Sequence, residues 1–344
     1  MRVLKVAIIG AGIGREHLAA YRRLPEAFDV ALICDLDRAR AEEIAGNVPV
    51  VTQLGDALAS DVDLIDICLP PHLHVATAIA ALEAGKHVIC EKPLATSLAD
   101  VDRLEDVSRA TGCTVFPVFQ YRFGVGVAQV LHLIETGLAG RAFAASVETH
   151  WRRDAEYYAP DWRGSWAGEQ GGVILGHAIH VHDLVCLLMG PVARVTAMLD
   201  TRVNAIETED CAAITFQMES GALVTSSATL GAADNTSRLR LVFEGFTAES
   251  GLAPYAPASA AWTITPRARS AAEIDAALAE VTAPPLGFTG FLAAIASGSG
   301  AVTLAEGRAS VELVTALYAS ARAGGAPESL PLPKDHALYG GWRP

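Results

Sequence analysis

Positive charge is scarce in this chain. Its 344 residues hold 26 Lys and Arg against 39 Asp and Glu, a formal net charge of −13. That balance supplies no basic footprint, so nucleic acid and anionic membrane surfaces are disfavoured as partners. Long apolar runs are missing as well, since none approaches the roughly 20 residues needed to span a bilayer. Residues Val3 to Ile13 imitate a short signal sequence, but their glycines and the charged Arg15-Glu16 that follow fit a strand and turn better. Cysteine is sparse and scattered: Cys34, Cys68, Cys90, Cys113, Cys186 and Cys211 show no CxxC spacing and mostly sit inside apolar runs. They read as buried, reduced thiols, which places the protein in the cytoplasm. Internal repeats and low-complexity linkers are also absent. What remains is 51% hydrophobic and 19% charged, a composition that supports a large core, and the length suggests two domains.

The first half has a βαβ rhythm. Val3 to Ile9 is a continuous apolar run of the kind buried on both faces of a sheet, and it leads into Gly10-Ala11-Gly12-Ile13-Gly14 and a helical pattern from about Arg15 to Leu24. Strand, glycine turn and helix together are the setting of a dinucleotide site, with Gly10 permitting the turn and Gly12 letting the backbone approach a pyrophosphate. The glycine spacing is one residue shorter than Gly-x-Gly-x-x-Gly. A second strand, Val30 to Cys34, ends at Asp35, placed to accept hydrogen bonds from ribose hydroxyls, which favours NAD over NADP. Arg38 could reach a phosphate instead, and Asp35 could equally cap the helix from Asp37 to Ala45. Further strands are expected at Leu64 to Leu69, closed by Pro70-Pro71, and at Val88 to Cys90, with helices from Leu73 to Ala84 and Leu98 to Thr111. In such a doubly wound parallel sheet the ligand sits beyond the carboxyl ends of the strands. Gly12, Asp35, Pro70 and Lys92 all fall there, with His72 and His74 on the same rim.

The second half changes character. Short alternating strands from Ala142 onwards, at Val192 to Val203, Cys211 to Met218, Ala222 to Leu230, Leu239 to Phe243 and Ala261 to Thr265, predict an antiparallel sheet with one wet face. The fold class expected is therefore an α/β Rossmann domain, residues 1–121, followed by an α+β domain, residues 122–344, with a large open, mainly antiparallel sheet. Helices close the chain at Gly287 to Ser297 and Leu304 to Ala323.

Two stretches carry chemistry. In Lys86-His87-Val88-Ile89-Cys90-Glu91-Lys92-Pro93 an apolar strand delivers a carboxylate and an ammonium to its tip, and the X-Pro bond is the one place where a cis peptide is cheap. A solvated charge pair at a turn would explain the same tripeptide. In Gly171-Gly172 to Asp183, helical spacing puts His177, His180 and Asp183 on one face, where a general base or proton shuttle fits. Three satisfied core histidines would also fit, whereas a metal site lacks further ligands and none is expected. Upstream, Trp151, Tyr157, Tyr158, Trp162 and Trp166 cluster around Arg152, Arg153 and Arg163, suited to a sugar face or to an oligomer contact.

These segments resemble the Gfo/Idh/MocA oxidoreductases, named for glucose-fructose oxidoreductase and inositol dehydrogenase. The resemblance runs through Pro70-Pro71-His72-Leu73-His74, Ala81 to Val88, Glu91-Lys92-Pro93, Trp162-Arg163 and Gly171-Gly172 to His180 and Asp183, and spans essentially the whole chain. It implies an NAD(P)-dependent dehydrogenase acting on a secondary alcohol of a sugar, polyol or glycoside, assembled as a homodimer or homotetramer. It further implies that Lys92 lies by the nicotinamide and that His180 is the acid/base. The cofactor is expected at Gly10, Gly12, Ile13, Gly14 and Asp35, then along the rim at Leu69, Pro70, His74, Glu91 and Lys92, with Gln120, Trp162 and Arg163 completing its contacts. Substrate is expected at Lys92, His150, Tyr158, Arg163, His180 and Asp183. Family members often carry an aspartate four residues before the histidine, and here that position is Gly176. Either His177 takes over the relay, or His180 acts with Lys92 alone, or the chemistry has changed. Relatives that cleave glycosides without net redox change, and others that are dinucleotide-binding sensors or repressors, mark the alternatives.

Overall fold

The computed structural model describes residues 2–344. It divides into two compact units: the first ends at Val118 and also takes in Phe291–Val311, and the second holds Phe119–Gly290 and Glu312–Pro344. The expected boundary after residue 121 thus falls within three residues of the first division, while the return of Phe291–Val311 to the first unit has no counterpart in the strand and helix pattern.

The first unit runs β1 (Leu4–Ile9), α1 (Gly14–Tyr21), β2 (Phe28–Cys34), α2 (Arg38–Ala45), β3 (Val50–Val51), α3 (Leu54–Ala59), β4 (Leu64–Ile67), α4 (His74–Glu83), β5 (His87–Cys90), α5 (Leu98–Thr111) and β6 (Val115–Pro117). Its six strands are all parallel, in the order β3-β2-β1-β4-β5-β6. Chain order reverses between β1 and β4, so a crevice is left where β1 and β4 end. Both faces of the sheet are covered, which is why Val6, Ala7, Ile8, Ile65, Ile67, Val88 and Ile89 have no or almost no exposed surface. Helix ends follow their capping chemistry: the Ser97 hydroxyl accepts from the Asp100 N–H at the start of α5, and Gly112 ends it in the left-handed region at φ 71°.

The second unit opens with α6 (Val125–Glu135) and β7 (Ala142–Arg152), then α7 (Val173–Gly176) and α8 (Ile179–Met189). Six strands follow, β8 (Val192–Asp200), β9 (Cys211–Met218), β10 (Leu223–Thr229), β11 (Gly231–Phe243), β12 (Phe246–Glu249) and β13 (Thr263–Pro266). Helices α9 (Ala271–Ala279), α10 (Gly287–Ser297) and α11 (Leu304–Arg322), then β14 (Glu328–Ser329), complete the chain. The eight-stranded sheet has the order β13-β12-β11-β7-β10-β9-β8-β14, antiparallel except for the β7–β10 pair. Burial alternates strictly along β9, with Ala212, Ile214, Phe216 and Met218 inside and Ala213, Thr215 and Gln217 outside. Among the described residues all six cysteines are free thiols, and no helix is long and apolar enough to cross a membrane.

Candidate active site

The glycine turn and the end of β2 are one structure. Gly10 has φ +105°, and a Cβ there would lie 2.5 Å from the Cys68 carbonyl oxygen, so only glycine fits between β1 and β4. Asp35 ties this turn to β2: its carboxylate accepts from the Ala11 N–H at 2.7 Å and the Asp37 N–H at 2.9 Å. The helix cap is Asp37, not Asp35, because the Asp37 side chain accepts from Arg40 N–H. Arg38 pairs with Glu42 at the surface, whereas Arg40 reaches Gly12, where Nη2 would lie 2.6 Å from an added Cβ. Above the turn, α1 begins at Gly14, next to the half-exposed Ile13, with no side chain capping its first N–H groups. An uncapped helix N-terminus and a guanidinium beside a glycine suit the diphosphate of a dinucleotide, so these residues fit the cofactor.

The end of β5 is built on buried polar groups. Glu91 is 7% exposed, and Lys92, half-buried, follows it into a cis Lys92–Pro93 peptide. His17 of α1 lies between two carboxylates, with Nδ1 2.9 Å from Asp66 Oδ2 and Nε2 3.1 Å from Glu91 Oε1. The Tyr21 hydroxyl donates to Asp66 at 3.0 Å, and Glu91 Oε2 accepts the Lys92 N–H at 3.0 Å. His74 is fully buried, and both its ring nitrogens lie 2.7 Å from carbonyl oxygens, those of Pro93 and Leu69. Its ring is therefore occupied in tying the ends of β4 and β5 together beside Pro70. Burial pushes the His74 pKa down, opposed by the contact with the Pro93 carbonyl.

In the second unit the histidines do not share a helix face. The helix breaks after Gly176, so His177 sits in the turn between α7 and α8 with φ −130°, and only His180, His182 and Asp183 are helical. The single helix read from i, i+3 spacing is thus corrected; the double glycine Gly171-Gly172 and Gly176 weaken helix propagation there. His180 stacks on Tyr121, with ring centroids 4.3 Å apart and 17° between planes, and meets Phe119 edge-on. The Tyr121 hydroxyl donates to the Pro254 carbonyl, which fixes that ring. His177 instead lies against Trp151, at 5.1 Å, and Tyr157, at 5.7 Å. His182 is a core residue: Nε2 is 2.9 Å from Ser226 Oγ, and burial lowers its pKa to about 4.

Other expected residues are placed as follows. Both Asp183 oxygens are taken by Arg122, at 2.6 and 2.8 Å, in a buried bidentate pair that anchors α8. His150 bonds Ser227 and stands on the open face of the sheet, whereas Trp151, next along β7, faces His177 from the other side. Arg163 stacks on Tyr157 and Trp162, at 4.0 and 4.3 Å, and donates to the Tyr157 hydroxyl. Burial pushes the Tyr157 pKa up to about 12 and raises that of Tyr158 further. Gln120 opens a short 3-10 turn before Arg122 with its Oε1 buried. Glu169 accepts the Gly164 N–H at 2.6 Å and pairs with Arg163, and its Oε1 lies 3.9 Å from where a Cβ at Gly176 would stand. A carboxylate therefore occupies the neighbourhood left bare at position 176. Glu209 grips the double glycine, accepting from Gly172, Ile174 and the Tyr318 hydroxyl.

A domain model described as the NAD-binding Rossmann fold of the GFO/IDH/MocA oxidoreductase family matches residues 4–119, and the model of that family's C-terminal domain matches residues 127–249. The chain belongs to the GFO/IDH/MocA family. Its first unit is that family's NAD-binding domain, in keeping with the fit of the glycine turn to a diphosphate. Among curated relatives it is similar to a levoglucosan dehydrogenase of Pseudarthrobacter phenanthrenivorans, 32% identical over 216 residues covering 58% of this chain and 55% of that protein. It is also similar to a myo-inositol 2-dehydrogenase of Thermotoga maritima, 27% identical over 68% of this chain and 69% of that protein. The chain thus spans little more than half the length of the first of these. Among solved structures, the WlbA dehydrogenase of Bordetella pertussis in complex with NADH and UDP-GlcNAcA superposes with a TM-score of 0.85 at 28% identity, over 96% of this chain and 100% of that one.

Polar residues that no motif singled out are His17 and Asp66 in the first unit and Arg122 and Glu169 in the second. Asp66 carried a signal, since a carboxylate inside the apolar run Leu64–Ile67 has to find buried partners.

Proposed function

We propose that this protein is an NAD-dependent dehydrogenase that oxidises a secondary alcohol of a sugar, polyol or glycoside, or reduces the corresponding ketone. The observation that carries this reading is Lys92: an amine at the carboxyl end of β5, with the carboxylate before it and the carbonyl after it both engaged by buried imidazoles. Catalytic lysines need such a fixed origin, because the stabilisation they supply depends on where the ammonium points. NAD, when bound, accepts a hydride from the carbinol carbon. Lys92 hydrogen-bonds the substrate oxygen and holds it in place. His180, whose ring plane is set by Tyr121, takes the hydroxyl proton, and His177 passes it on. Arg163, Trp162 and Tyr158 contact sugar or cofactor, and Asp35 accepts from the adenosine ribose. The names of the relatives, dehydrogenases of levoglucosan and of inositol, support the substrate class.

The open face of the second sheet supports assembly into a homodimer or homotetramer, and six free thiols support a cytoplasmic location. Screening sugars and polyols for NAD reduction identifies a substrate. With it, Lys92→Ala is expected to lower kcat by about a hundredfold or more while leaving NAD affinity near the wild-type value. Near-normal turnover in that variant refutes the assignment, and tighter binding of NADP than of NAD refutes the role given to Asp35.

A further inference from the structure

Three features outside the assigned chemistry stand out: the buried Glu209 clamp, the guanidinium of Arg153 stacked between Trp151 and Tyr157, and the polar chain beneath Lys92. The last is a continuous run of hydrogen bonds contained within the first unit. His17 is 2% exposed, Asp66 has no exposed surface and Glu91 is 7% exposed.

Both ring nitrogens of His17 face carboxylates, which accept hydrogen bonds and donate none when ionised. A neutral ring would turn one lone pair towards a carboxylate, whereas an imidazolium satisfies both. Burial opposes the charged ring, but the Asp66 carboxylate and the Cys68 sulfur beside it together outweigh burial, so the His17 pKa stands well above its ordinary value. Two further groups belong to the cluster: the Cys68 thiol, 3.2 Å from Nδ1, is pushed up to about 12 by burial, and the Tyr21 phenol, which donates to Asp66, is raised as well. Glu91 is thereby left with one oxygen on His17 and the other on the Lys92 N–H.

We propose that His17 is a positioning residue for Lys92: its imidazolium, shared between Asp66 and Glu91, holds the Glu91 carboxylate that fixes the backbone from which the Lys92 side chain projects. His17 touches neither substrate nor cofactor in this scheme. The effect on turnover rests on the role of Lys92 proposed above; the effect on the placement of Lys92 does not.

Two substitutions separate the links. An Asn side chain places its amide where ring Nδ1 lies and keeps the bond to Asp66, whereas Gln places it where Nε2 lies and keeps the bond to Glu91. The full chain loaded with NAD is treated with an amine-acylating reagent from about pH 6 to about pH 10, and the rate at Lys92 is read by peptide mass spectrometry. In His17→Asn the Lys92 rate is expected to change by about tenfold or its pH profile to move by about one unit, while NAD affinity stays within about threefold. With the substrate found by screening, kcat in His17→Asn falls by about a hundredfold with KM little changed, and His17→Gln recovers most of it. Identical behaviour of folded Asn and Gln variants, or wild-type labelling of Lys92 in His17→Asn, overturns the proposal. Should circular dichroism show that His17→Asn does not fold, Glu91→Gln breaks the same link from its other end, and unchanged Lys92 labelling in that variant overturns it equally. Because labelling needs no turnover, it decides the role of His17 even if Lys92→Ala remains active and the dehydrogenase reading fails.

Discussion

Glu209 shows how much one buried group can control. It has three donors around it, the Gly172 and Ile174 N–H groups and the Tyr318 hydroxyl, yet burial outweighs them and raises its pKa from 4.5 to about 7. A carboxyl that is more basic when folded binds its proton more tightly in the native state. Its contribution to stability is therefore fully present below the unfolded value of 4.5 and is lost as pH rises through about 7. Unfolding by urea at a series of pH values checks this. Between pH 4.5 and pH 7 the wild type is expected to lose stability relative to Glu209→Gln, by on the order of 3 kcal/mol at most. A constant difference between the two proteins would contradict the burial of an ionisable Glu209. The Arg122–Asp183 pair imposes a different constraint: two well-aligned charges are buried together, and each depends on the other remaining.

At the scale of elements, the turn Glu169 to Gly172 determines where α7 and the two site histidines begin. Gln170 holds φ 65°, the one non-glycine residue with positive φ among those described, and a Cβ at Gly172 would stand 1.8 Å from the Glu209 carbonyl oxygen. Gly172→Ala is expected to destabilise the second unit by about 1–3 kcal/mol or more, since backbone rather than a flexible side chain has to move. Thermal unfolding measures the loss, which Gly55→Ala, with open space around its Cβ, does not reproduce. The same turn marks where sequence patterns stopped being informative. Elements with strong periodicity or clear caps were legible: α5 and β9 match the expected Leu98 to Thr111 and Cys211 to Met218 residue for residue. That the glycine turn, Asp35 and Lys92 lie at strand ends was legible because each follows an apolar run. The break at His177 was not, because i, i+3 spacing is satisfied equally by a continuous helix and by two short ones. Nor were α3 and β12, which are only six and four residues long, nor α9, although Ser270 and Glu273 form a capping box at its start. The partners of His17 lie 49 and 74 residues away in sequence, a distance no local pattern spans.

At the scale of the molecule, the open face of the eight-stranded sheet is charged along β7, β11 and β12, where Arg238 meets Glu148 and Glu249, and uncharged across the middle of β8, β9 and β10. Thr196, Met198, Ala213, Thr215, Thr225 and Ser227 point outward across three adjacent strands, and Met198 is 71% exposed. An exposed, uncharged stretch of sheet beside a charged one is suited to a second copy of the chain. Light scattering behind size exclusion is expected to give at least twice the mass of 36.0 kDa, and Met198→Asp with Thr215→Asp to give a monomer. A wild-type monomer would remove the assembly from the functional reading without touching the site.

The return of Phe291–Val311 to the first unit matters for how the polypeptide is made. Gly307 approaches Pro117 and Leu94 so closely that a Cβ would lie 2.6 and 2.8 Å from them, and Arg308 bridges Asp102 and Glu105. A ribosome releasing residues in order cannot finish the nucleotide-binding half until position 311 has emerged, long after the second sheet has been synthesised. The amino-terminal segment is born without its last piece, and a gene cut after Val118 would encode a fragment with an uncovered seam.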